Sequence, residues 1–298
     1  MTSPFKRVGL KLMCEGIGDC LYAIAVIKKL YLRFRGQICF DVFTYHPALF
    51  QRCPYVNEAY LIQDKQERHY DNVLKLFEFD KLKHYTMDTY DFISIPLGLG
   101  GLSFREKQLE YFPVEEDQAE SFDVVLNTSN TWPSRSWPVE NWQRLADAMT
   151  QKGKTVAVVG KDVQSVDDSM LKHSPALQRC TNLVNQLSLD QTYYTIRKSK
   201  LFVSCQNGLS VLSGATDTEI VVLDMSIEWS KRAIYRNEDP HYKVTYVKGD
   251  CAAYCCESFR CSLPDNQGLF KCIPSYERVE KVVLGIVGRL QGESRYVF

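Results

Sequence analysis

A short apolar run, a glycine-bearing turn, a helix-period stretch and a second apolar run open this 298-residue chain. Residues 5–13 read as a strand, apolar at Val8, Leu10 and Leu12. Glu15-Gly16-Ile17-Gly18-Asp19 follows. A helix is predicted over 19–34, with Leu21, Ile24, Ala25, Ile27, Lys28 and Leu30 at its spacing, then a strand over 37–43. Strand, turn, helix, strand is a βαβ unit, and such units build parallel sheets. Further strands are expected at 58–62 and 91–95, whereas 64–90 is charged and aromatic and carries no clear period.

The pattern restarts near 122. The spacing predicts a strand at 122–127, a Trp/Pro/Ser loop at 128–138, a helix at 139–151 and a strand at 155–159. It then predicts a helix at 188–198, a strand at 201–204, a helix opening at Gly208, a strand at 219–223 and a helix at 275–290. Ser275 is the expected cap of that last helix, and Val279, Val282, Val283, Ile286 and Leu290 its apolar stripe. Two successive α/β units imply an α/β chain of two doubly wound domains facing one another. The expected division is 1–116, 117–274 with a cysteine-rich loop at 251–272, and a closing helix segment 275–298.

Lysine plus arginine and aspartate plus glutamate both number 36, which removes the basic excess that most duplex nucleic-acid binders use. A hydrophobic share of 45% and a charged share of 24% are those of a globular chain. No window reaches the ~20 apolar residues of a membrane span. Charges interrupt the N-terminal apolar run, so no signal peptide is read and a cytoplasmic protein is expected.

Three segments can carry chemistry. Gly18-Asp19 lies between a strand and a helix, where open α/β sheets bind ligands. Asp19 reads equally as a helix cap or as a general base. The loop Asn127–Pro138 offers hydroxyls, among them Thr131 and Ser134, and one guanidinium, Arg135. It suits a diphosphate or a rigid surface loop. Gln206, Asn207, Gly208 and Ser210 follow a strand and open a helix of small residues, where free N–H groups suit an anion. Close helix packing is the alternative. His46 follows a strand and precedes Pro47, which fits a capping or surface residue.

Eleven cysteines is a high count, and Cys251, Cys255, Cys256, Cys261 and Cys272 fall within 22 residues. In a cytosolic chain such a cluster favours metal over disulfides. Four thiolates fill a tetrahedral structural site for zinc or iron. Cys251, Cys255, Cys261 and Cys272 are the expected set, with Cys256 competing for the place of Cys255.

Taken in order, these segments resemble glycosyltransferase family 9, the ADP-heptose heptosyltransferases. Gly18-Asp19-Cys20-Leu21 is similar to the family's Gly-Asp-x-Leu motif. Trp132-Pro133-Ser134-Arg135-Ser136-Trp137-Pro138 resembles its Trp-Pro-Ser-Lys-x-Trp-Pro loop, and Cys53-Pro54-Tyr55-Val56-Asn57-Glu58 its Asn-Pro-x-Val-Asp-Glu segment. The resemblance implies a GT-B architecture: two Rossmann-like domains facing a cleft, with the C-terminal helix packing back on the first. It implies an inverting transfer from a nucleotide-diphosphate sugar without a catalytic metal, with Asp19 as base and Arg135 on donor phosphate. The acceptor is a hydroxyl on a glycan, a protein or a modified nucleic-acid base, and an oligomer is compatible. Gln206-Asn207-Gly208-Leu209-Ser210-Val211 stands where the family carries Asp-Thr-Gly-x-x-His, so an acid and a histidine are missing. That segment is closer to the autotransporter heptosyltransferases, longer proteins that modify protein hydroxyls and bind metal through cysteines. The rival readings are a nucleotide-sugar epimerase and a non-catalytic binder of sugar nucleotides or metal.

Overall fold

The computed structural model describes residues 6–35, 37–64, 69–77, 87–115, 118–129, 132–164, 171–251, 256–257, 261, 270–290 and 292. They form two compact units. One comprises Met1–Glu116 with Ala233–Tyr242, the other Asp117–Arg232 with Lys243–Phe298.

The first unit is built on four parallel strands: β1 (Lys6–Leu12), β2 (Ile38–Thr44), β3 (Glu58–Leu61) and β4 (Asn72–Leu76), in the order β3-β2-β1-β4. The chain steps outward from β1 through β2 to β3, then returns to the other side of β1 for β4. That reversal leaves a switch point at the carboxyl ends of β1 and β4, where doubly wound sheets open for ligands. Helix α1 (Ile17–Arg33) follows β1 and buries Cys20, Leu21, Ile24, Ile27 and Leu30. The strand expected at 91–95 is instead helical, α2 (Thr89–Ser94). Its cause is local: the Asp88 carboxylate accepts from the Asp91 N–H at 3.0 Å and caps the turn. The apolar residues Tyr90, Phe92 and Ile93 do not by themselves distinguish helix from strand. Lys107, nearly buried, donates to Asp88 at 2.5 Å and Asp91 at 3.0 Å. Segment 233–242 joins this unit through Tyr235, which bridges to Gln108 and stacks on Phe104 with ring centres 5.2 Å apart.

The second unit is built on six parallel strands in the order β12-β11-β10-β5-β6-β9. They are β5 (Val124–Asn127), β6 (Val156–Val159), β9 (Thr181–Asn182), β10 (Leu201–Cys205), β11 (Glu219–Asp224) and β12 (Val244–Lys248). The two-residue strands β7 (Val163–Gln164) and β8 (Leu171–Lys172) pair antiparallel beside them. The helices are α3 (Val139–Gln151), α4 (Leu189–Arg197), α5 (Gly208–Ser213) and α6 (Tyr276–Leu290). The sequence marks α4 with Ser188 and Gln191, which form a capping box. The core gathers Val124, Leu126, Val158, Val203 and Val221 from the strands with Trp137, Trp142, Leu145 and Met149.

The buried residues of helix α6, Tyr276, Val279, Val283, Ile286 and Val287, belong to the core of the second unit. The apolar stripe finds its partners on α3 and β12, which are already present in its own unit. Leu290, expected in the stripe, is exposed. Among the described residues, no helix is long and apolar enough to cross a membrane.

Candidate active site

In the first unit the turn after β1 carries Gly18 and Asp19. Helix α1 starts at Ile17 with Gly16 as its cap, and no side chain closes that cap. Asp19 is therefore the third residue of the helix, and the N-cap position belongs to Gly16. A Cβ on Gly16 would lie 2.7 Å from Asp19 Oδ2, so glycine is what leaves room for the carboxylate. His46 Nε2 lies 2.7 Å from the Glu15 carbonyl and donates to it. Beneath the turn, Cys20 Sγ is 3.5 Å from Thr44 Oγ1. Contact with the Cys20 thiol and burial push the Cys14 thiol far up, with the Cys20 and Asp19 charges adding to the shift. The Cys14 thiol is thereby held protonated.

In the second unit, Pro133–Arg135 forms a single tight turn. Ser134 is buried with its hydroxyl 3.1 Å from that of Ser226. The Arg135 guanidinium lies 4.1 Å over the Trp132 ring, and its Nη1 donates to the Gln206 carbonyl at 3.4 Å. Stacking on an aromatic face holds a guanidinium in one plane, which suits bidentate contact with phosphate. Trp137 Nε1 donates to the Pro274 carbonyl at 2.9 Å and fastens the loop to the start of α6.

The segment after β10 meets that arginine. Asn207 caps α5: its Oδ1 accepts from Leu209 N–H at 3.0 Å and Ser210 N–H at 3.3 Å, while Ser210 Oγ accepts from Asn207 N–H at 3.1 Å. Asn207 Oδ1 also accepts from Asn127 Nδ2 at 2.9 Å. The N–H groups of Asn207, Leu209 and Ser210 are thus taken by the cap, and of the N–H groups around Asn207 and Gly208 expected to suit an anion, that of Asn207 is engaged by the Ser210 hydroxyl. Gln206 Nε2 donates to Asp224 Oδ1 at 2.9 Å, a buried contact. Gln206 Oε1 and Asn207 Nδ2 are buried without a hydrogen-bond partner among the described residues.

The structure therefore gathers Ser134, Arg135, Gln206, Asn207, Gly208 and Ser210 at the carboxyl ends of β5, β10 and β11. Thr131 lies outside the described residues. Gly18 and Asp19 belong to the first unit. Sequence reasoning missed Asp224 and Ser226. The available signal was a carboxylate closing the apolar run Ile220–Leu223, at the strand end that faces ligands in such sheets.

Of the expected metal ligands, Cys255 lies outside the described residues. Cys272 is buried and its thiol is pushed up to about 11, first by burial and then by Cys251, Cys256 and Cys261. Among the described residues no group of three or more His, Cys, Asp or Glu is set to hold a metal ion.

Residues 99–224, which contain this second-unit cluster, match the profile of glycosyltransferase family 9 (heptosyltransferase). No curated protein sequence matches the chain. Among solved structures, the iron-containing dodecameric glycosyltransferase TibC from enterotoxigenic E. coli superposes with a TM-score of 0.70 at 14% identity, over 97% of this chain and 79% of that one. A family 9 glycosyl transferase from Veillonella parvula superposes with a TM-score of 0.69 at 12% identity, over 97% of this chain and 99% of that one. The E. coli heptosyltransferase WaaC with ADP gives 0.59 at 13% identity, over 94% and 99%. At these identities the likeness is one of fold, the GT-B architecture of two Rossmann-like α/β units. Residues 99–224 thus resemble glycosyltransferase family 9, and nearly the whole chain has the fold of that family's solved members.

Proposed function

We propose that the protein transfers a sugar, heptose or a relative of it, from a nucleotide-diphosphate sugar to a hydroxyl acceptor with inversion. The observation that carries this reading is Arg135, held over the Trp132 ring and against the Gln206 carbonyl inside the region that matches family 9. A TibC structure holds ADP-D-beta-D-heptose, and a WaaC structure holds an ADP-heptose analogue. In the proposed reaction the acceptor oxygen bonds to the anomeric carbon as the bond from that carbon to the diphosphate oxygen breaks. The acceptor proton passes to Asp19, and Arg135 neutralises the departing diphosphate.

The cysteine segment is proposed to hold one structural zinc or iron through Cys251, Cys261, Cys272 and one of the adjacent pair Cys255 and Cys256. The charge of Cys256 acts on Cys272. The metal would add stability and takes no part in the transfer. Assembly into an oligomer is proposed on the same likeness to dodecameric TibC.

The test is incubation with ADP-, GDP- and UDP-sugars, ADP-heptose included, with and without glycan, protein and hydroxylated-base acceptors. Turnover that requires an acceptor supports transfer. Turnover of the nucleotide sugar alone would replace it with epimerisation, and binding without turnover with a non-catalytic role.

A further inference from the structure

Asp224 ends β11 fully buried, and Gln206 beside it is 5% exposed. Their contact, Gln206 Nε2 to Asp224 Oδ1 at 2.9 Å, settles which way the amide points. A carboxylate oxygen only accepts, so the amide nitrogen must face it and the carbonyl oxygen must face away. That oxygen, Oε1, is buried and meets no donor among the described residues. A buried acceptor left unmet costs enough that native structures nearly always supply a partner. The next residue shows the opposite polarity. Asn207 Oδ1 is committed to Leu209, Ser210 and Asn127, which leaves Nδ2 as a buried donor awaiting an acceptor.

We propose that Asp224 is a positioning residue that locks the Gln206 amide with its oxygen toward the donor substrate, so that position 206 reads a hydroxyl and not a phosphate. This rests on the nucleotide-sugar reading above. A phosphate oxygen satisfies Asn207 Nδ2 or Arg135, because both donate. It cannot satisfy Gln206 Oε1, which needs a donor. The ligand that fits presents an anion and, next to it, a hydroxyl. In a nucleotide-diphosphate sugar that hydroxyl comes from the ribose or from the transferred sugar.

The experiment is calorimetric titration of the whole protein with inorganic pyrophosphate, ADP, 2′-deoxy- and 3′-deoxy-ADP, ADP-heptose and deoxy analogues of its sugar. The wild type should lose about tenfold in affinity, the size of one neutral hydrogen bond, for one particular deoxy analogue. A ribose analogue identifies the ribose as the source, and a sugar analogue the transferred sugar. Gln206→Leu should bind the matched hydroxyl and deoxy ligands equally, with pyrophosphate unchanged. Asp224→Asn frees the amide to turn over, so the same discrimination should shrink to about twofold or less while the melting temperature and pyrophosphate affinity hold. If Asp224→Asn does not fold, the wild-type and Gln206→Leu comparison decides alone. A wild type that treats every deoxy analogue like its parent overturns the proposal, as does a Gln206→Leu variant that weakens pyrophosphate as much as ADP-heptose. Absence of binding to any nucleotide or nucleotide sugar defeats the transferase reading itself. Normal nucleotide binding without hydroxyl discrimination defeats only the role of Gln206.

Discussion

The imidazole of His46 reaches across to the turn that carries Asp19, its Nε2 lying 2.7 Å from the Glu15 carbonyl. The bond ties the end of β2 to the loop after β1, next to the residue proposed as base. Replacing His46 by Phe removes one hydrogen bond, an effect of about 1 kcal/mol on stability. Turnover should fall by less than about tenfold, because the carboxylate itself remains. Urea denaturation beside steady-state kinetics checks both, and a loss as deep as that of Asp19→Asn would mean that His46 itself takes part in the chemistry.

Asp19→Asn should cut turnover by about 10²–10⁴-fold, the range for removing a positioned base. Folding and donor binding should hold, since Gly16, not Asp19, occupies the cap of α1. A variant that keeps the wild-type rate with its proper acceptor places the proton elsewhere.

Arg135→Ala should weaken a nucleoside diphosphate by about 10–100-fold and a nucleoside hardly at all, because only the former offers phosphate to a guanidinium. Arg135→Lys keeps the charge but not the guanidinium over Trp132, so it should recover part of the loss. Equal weakening of both ligands would put Arg135 outside the phosphate contact.

Protein purified without added metal or chelator should carry about one equivalent of zinc or iron, the content of a single four-thiolate site. Cys251→Ser with Cys272→Ser should remove it and lower the melting temperature without changing the preferred donor. Elemental analysis decides the first point, and full thiol reactivity in folded, metal-free protein would count against the site.

Asp123 gives a pH signature. Burial works against its charge. The Lys200 ammonium at 2.8 Å outweighs it together with Thr155 N–H at 2.9 Å and the Thr155 hydroxyl at 3.1 Å, and the carboxyl sits below its usual range. A folded pKa lower than the unfolded value means the stabilisation is present above about pH 4 and is lost as pH falls through the folded value. Asp123→Asn should lower the urea midpoint at pH 7 and leave a shallower decline in acid. A parallel decline in both proteins would show that Asp123 does not contribute to it.

Helix α3 was legible to the residue, because Trp142, Leu145, Ala146 and Met149 keep helical spacing behind Pro138. β1, β2, β10 and β11 were equally plain, being apolar runs between turns. β9 pairs through only two residues, too few for a period to appear, and β4 lies in a stretch where Asn72 and Lys75 break the apolar run. α2 was read as a strand because its fate is decided by the Asp88 cap and by Lys107, nineteen residues away in the chain. In the candidate site, Arg135 and Gln206 stood out by type and place. The engagement of the α5 amides did not, since it depends on the rotamer of Asn207. Asp224 acquires meaning only when β10 and β11 lie side by side.

Gly249 approaches the far end of the cysteine-rich segment so closely that a Cβ there would stand 2.5 Å from the Cys272 carbonyl oxygen and 2.6 Å from that of Lys271. The two ends of that segment therefore leave and rejoin the second unit at nearly the same point. A chain stretch pinched at its base can lengthen or shorten at little entropic cost to the body it springs from. Insertions and deletions between the pinch residues would leave β12 and α6 where they are, while any side chain at position 249 would pry the base apart. The segment is in that sense a graft, and Gly249 is the graft union.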